Sequence, residues 1–222
     1  MWAADGGQVI VLVEAFLGNG LGLPMAQREH AERRSVRVRS GSTDAHVAIT
    51  FAAYNVGPCR NLDEDKLCRI YERRPLVCRI YPAEINPHIP LNPAAKDCPP
   101  ESWEQGPLLI AGGELVDQEL IELIQRSRQA DRDDIQSKDA ICALLGIRTT
   151  ALKGDGFTAY LPNMSAFAAM IDQVSEQPLT TASSEWLFHL SGEDVTGQVV
   201  AAGAQVVTEP AQTYAFISLR AA

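Results

Sequence analysis

Between Gly57 and Gly106 the chain carries four of its five cysteines, and from Pro82 to Pro100 it has six closely spaced prolines, at 82, 87, 90, 93, 99 and 100. Proline fixes φ and lacks a backbone donor, so no long helix and no central strand fits this run. An irregular segment of such length inside a compact domain needs a fastening other than apolar burial. A bound metal is one such fastening, and Cys59, Cys68, Cys78 and Cys98 are the donors that could hold it. The chain is thereby restricted to folds in which regular elements flank an irregular centre.

Four thiolates suffice for a tetrahedral zinc site or for one iron–sulfur cluster. Their spacings, with eight, nine and nineteen intervening residues, are not the short CxxC knuckles of zinc fingers. Spacing alone therefore leaves inert buried thiols as the competing reading, since free cysteine is among the most often buried residue types. An odd count of five suits a disulfide framework poorly. Arg60, Arg69 and Arg79 each follow a cysteine directly. Four thiolates around a divalent ion leave a net charge of −2, and adjacent guanidinium groups would offset it and favour the ligating thiolate. Pro75 is placed to start a short helix with Cys78 in its first turn. Tyr71 and Tyr81 close the two copies of CRIY and are placed to shield the thiols. Cys142, inside AICALLGI, reads as plain core, and His30, His46, His88 and His189 show no partner pattern.

On either side the periodicity returns. QVIVLV at 8–13 reads as a buried strand, and MAQREHAERR after Pro24 as a helix. SVRVR at 35–39 and HVAITF at 46–51 alternate as a half-buried hairpin does. Beyond Gly112, Leu115, Leu120, Leu123 and Ile124 form one helical stripe. Further helices are expected over DDIQSKDAICALLG, ending at Gly146, and over NMSAFAAMIDQVSE. EWLFHL, AQVVTE and YAFISL read as strands around a short helix at VTGQVVAAG. The expected fold class is α+β: an irregular Cys-rich metal-binding segment flanked by short strands and helices, a helical middle and a small α+β tail. The expected division is 1–106 for the Cys-cluster domain and 107–222 for the rest.

The run CRNLDEDKLCRIYERRPLVCRIYPAEINPHIP, followed by KDCPP, resembles the YkgJ-type cysteine-cluster family, described as zinc- or iron-chelating domains. Cys59, Cys68, Ile70, Tyr71, Glu72, Arg74, Pro75, Cys78, Arg79, Tyr81 and Pro82 match its pattern, and Cys98 matches its later cysteine. The resemblance implies that these four cysteines bind zinc or iron, an iron–sulfur cluster included. That family carries a CxxCC-like group nearer its N-terminus, whereas this sequence has no cysteine before Cys59.

Composition narrows the class. A content of 46% hydrophobic and 21% charged residues is ordinary for a soluble globular protein. A formal net charge of −9 disfavours a nucleic-acid partner, because phosphate contacts need a dense Lys/Arg face. The apolar stretch at 8–26 is broken by Glu14 and Asn19 and has no basic residue before it, so neither a secretory signal nor a membrane span is expected. A cytoplasmic location follows as the expectation, and there clustered thiols read as metal ligands before disulfides. The expected function is a cytoplasmic metal-binding cysteine-cluster protein. Two alternatives stand beside it: a cluster-dependent enzyme such as a protein methyltransferase, and a protein-interaction module. No GxGxxG after a strand, GxxxxGK[ST], HExxH or GxSxG supports the enzyme.

Overall fold

The structure, a computed structural model, describes residues 6–176, 185–209 and 211–220. In chain order the elements are β1 (Gln8–Leu17), α1 (Arg28–Glu32), β2 (Val36–Ser40), β3 (Thr43–Tyr54), α2 (Leu76–Ile80), β4 (Ile110–Ala111), β5 (Glu114–Leu115), α3 (Gln118–Asp133), α4 (Ile135–Leu144), β6 (Thr149–Leu152), β7 (Gly156–Tyr160), α5 (Met164–Glu176), β8 (Leu187–His189), α6 (Glu193–Ala201) and β9 (Ala215–Ser218). This is an α+β protein, as its patterning predicts. The chain divides into two compact units, one of Met1–Arg60 with Asp134–Ala222 and one of Asn61–Asp133.

The first unit is built on β1. Val9, Val11, Val13, Ala15 and Leu17 alternate along it and are all buried, the period-2 signature of a strand with one face in a core. One edge of β1 pairs antiparallel with β3 over its whole length, from Gln8 opposite Tyr54 to Leu17 opposite Ala45. The β2–β3 hairpin extends that side. The other edge is shared. Val11–Val13 pair antiparallel with β7, then Glu14 and Ala15 pair parallel with β6. The sheet therefore forks: β6 leads in parallel to β8, and β7 leads antiparallel to β9. Thr158, fully buried, sits at the fork, its hydroxyl 2.9 Å from the Thr149 carbonyl and 3.3 Å from the Val13 carbonyl. It donates to one of them at a time.

Ile141 and Cys142 of α4, Phe167 of α5 and Val195 and Val199 of α6 complete this core with Trp186 and Phe188. AQVVTE, expected as a strand, makes only one bridge, Val206 beside Phe188. The backbone bonds Phe188 N–H to Gln205 O and Val207 N–H to Phe188 O hold it as an extended flank of β8. Residue 210, next to it, lies outside the described residues.

The second unit has far less to bury. Its core is Ile80 of α2 with Leu120, Leu123 and Ile124 of α3. Three of the four stripe positions expected on this helix are used as such, while Leu115 falls in β5 and packs against the cluster from there. The β4–β5 turn runs through Gly112 and Gly113, both at positive φ (59° and 85°), a hairpin turn that only glycine makes freely.

Candidate metal centre

Each cysteine of the run is held by a different local device. Cys68 lies on a short antiparallel bridge to Leu62, where Arg69 N–H donates to Asn61 O and Asp63 N–H donates to Leu67 O. Asp63 closes that loop, its carboxylate accepting the N–H groups of Asp65 and Leu67. Cys78 sits in α2, begun by Pro75 as expected, with its own N–H donating to Pro75 O at 3.0 Å. Cys98 follows a clamp on the chain after α2. Asp97 N–H donates to the Tyr81 hydroxyl at 2.9 Å, Lys96 pairs with Glu84, and the Lys96 ammonium lies 5.7 Å from the Tyr81 ring centre. In Cys59's stretch, Arg60 N–H donates to the Asn55 side chain.

None of the five cysteines is in a disulfide. Cys59 and Cys78 are exposed, Cys68 and Cys98 half-buried, and Cys142 buried. Among the described residues, no three His, Cys, Asp or Glu side chains are gathered closely enough to hold a metal ion. The donors thus suit zinc or iron by chemistry, as four thiols on an irregular segment. Their arrangement does not bring three of them to one point.

Two of the arginines beside the cysteines, Arg69 and Arg79, have other partners. Arg69 donates to Leu62 O at 2.9 Å, and Arg79 pairs with Glu119 at 3.3 Å. Arg74 stacks on the Tyr71 ring at 3.7 Å and donates to the Tyr71 carbonyl. Tyr71 itself is 59% exposed, with the Arg74 guanidinium over its ring. Cys142 behaves as the sequence predicts: it is fully buried in the first core, and burial, with Asp139 beside it, pushes its thiol up to about 12.

One set of polar residues has no counterpart in the sequence reading. Asp155, part of a Gly-Asp-Gly stretch that reads as an ordinary turn, is a buried carboxylate. His189 packs among aromatic rings. Its partners lie 25 and 27 residues further along the chain, which is why no local pattern reveals them.

Residues 23–99 match the family model described as "CxxCxxCC: Putative zinc- or iron-chelating domain". The match bears out the resemblance of the cysteine run to the YkgJ-type cluster family. No curated protein and no solved structure is significantly similar to the chain. No helix among the described residues is long and apolar enough to cross a membrane.

Proposed function

We propose that this protein binds zinc or iron through Cys59, Cys68, Cys78 and Cys98, in a reducing compartment such as the cytoplasm. The observation that carries the reading is the coincidence of these four thiols with the family match over 23–99. The small core of the second unit supports it: four buried apolar side chains are little to fix a unit of that length. A thiolate-bound metal would supply a fastening there, and its binding energy would be folding energy. No reaction is assigned to the site.

Metal content of anaerobically purified protein tests the proposal. The expected result is about one equivalent of zinc or iron per chain, falling several-fold in each of the Cys→Ser variants at 59, 68, 78 and 98 and unchanged in Cys142→Ala. Visible absorption separates an iron–sulfur cluster from colourless zinc thiolates. Less than about a third of an equivalent in the intact protein would rule the reading out.

A further inference from the structure

Where the sheet of the first unit forks, a cleft of about 730 Å³ opens between the β8 and β9 branches. β8, parallel to β6, ends at it, and the carboxyl ends of parallel strands are where ligand sites recur. Asp155 follows β6, and His189 ends β8.

The cleft is built on a buried charge. Asp155 is 1% exposed; its carboxylate accepts the Ser191 N–H at 2.8 Å and the Ser191 hydroxyl, and forms an ion pair with Arg220, whose Nε lies 2.9 Å away. It fixes the β8–α6 corner and the guanidinium in place. The Arg220 side chain is itself 54% exposed and lines the cleft. The His189 ring stacks on Phe216 at 4.6 Å between centres, and its Nδ1 lies 3.0 Å from the Tyr214 hydroxyl. The stacked His189 and Phe216 rings both line the cleft. Glu193 and Asp194, at the start of α6, line the same cleft and pair with no cation among the described residues. An ion-paired guanidinium, two carboxylates and a stacked ring pair therefore share one opening. The pocket beside Arg79 in the second unit has no such anchor, since the Glu119 partner of Arg79 is itself exposed.

We propose that this cleft binds a zwitterionic α-amino acid, with its carboxylate on Arg220, its ammonium on Glu193 and Asp194, and its side chain against Phe216 and His189. A ligand with one charge would reach only the guanidinium or only the carboxylates. The site lies wholly in the first unit and does not depend on the metal-binding reading.

The test is calorimetric titration of the full chain with phenylalanine, phenylacetate and phenethylamine, followed in parallel by the ring signals of His189 in NMR. Phenylalanine is expected to bind about ten-fold or more tightly than either analogue and to shift the His189 signals. Glu193→Gln/Asp194→Asn, at exposed positions, is expected to lower phenylalanine affinity about ten-fold while sparing phenylacetate. Arg220→Gln should do the converse; because it also leaves Asp155 buried without its cation, the exposed pair carries the decision. Equal affinity for phenylalanine and either analogue overturns the proposal. So does an unchanged affinity in the double variant, or no saturation by any probe in the millimolar range.

Discussion

Cys142 and the cysteines of the 59–98 run differ in everything but their side chain. Burial holds the Cys142 thiol neutral, up to about 12, and Tyr160 is raised by burial to a similar value. Both are acids whose folded values exceed their unfolded ones. Their contribution to stability is whole below the unfolded values and is lost as pH rises from about 9 towards 12. Denaturant midpoints measured between pH 8 and 11 should therefore fall, and Cys142→Ala should remove the part of that fall that begins lowest. Thiol titration of metal-free native protein should count four reactive groups, with a fifth appearing only on unfolding. At the acidic end His46 matters. Its ring stacks on Phe16 at 5.0 Å, and burial lowers its value, helped by Arg37 and Arg28 and opposed by Glu32 and Asp44. A depressed histidine supports the fold above its unfolded value near 6.5 and ceases to as pH falls below it. His46→Gln should flatten stability between pH 7 and 5.

Among the elements, those that carry their own periodicity were legible. β1, the β2–β3 hairpin, α4 and α5 follow from local alternation or helical spacing, and Pro75 does open the short helix that holds Cys78. The fork was not legible, because Val11–Val13 choose β7 and Glu14–Ala15 choose β6 only through contacts far along the chain. Gly203 is a second case. It ends α6 at φ +87°, its N–H donating to Val200 O, and its own carbonyl accepts the Ser42 N–H from the β2–β3 turn. A Cβ there would lie 2.2 Å from the Ser42 hydroxyl. Gly203→Ala is expected to cost about 1–3 kcal/mol, from positive φ and the clash together, measured by denaturant unfolding. In the core beside it, Phe188→Ala should cost about 3–5 kcal/mol, since the side chain is fully buried.

Across the whole molecule the two units are unequally furnished. Among the described residues, twenty buried ones make the main core of the first, and four make that of the second. Several large apolar side chains of the second, Leu67, Val77 and Leu108 among them, stay exposed. Limited proteolysis of metal-free protein should therefore cut within 61–133 before the rest of the chain, and added zinc should slow those cuts if the four thiols are ligands. Uncut second-unit sites in metal-free protein would show that its small core suffices alone. The sequence named the thiols because residue type and neighbours are local facts. How far they stand from one another was not legible, because the distances among side chains separated by 8 to 19 intervening residues on a proline-rich path are set by tertiary structure.

The first unit leaves its sheet after β3 and does not resume until Asp134. Topologically, Asn61–Asp133 is one long excursion spliced into a host whose β1 must wait for β6 and β7 to arrive. Closing such an excursion costs entropy that grows only with the logarithm of its length, about 0.6 kcal/mol for each doubling. The host is therefore nearly indifferent to how much chain the splice contains. Replacing Asn61–Asp133 by a short Gly/Ser linker should give a protein that folds faster than the full chain, because its strands meet sooner.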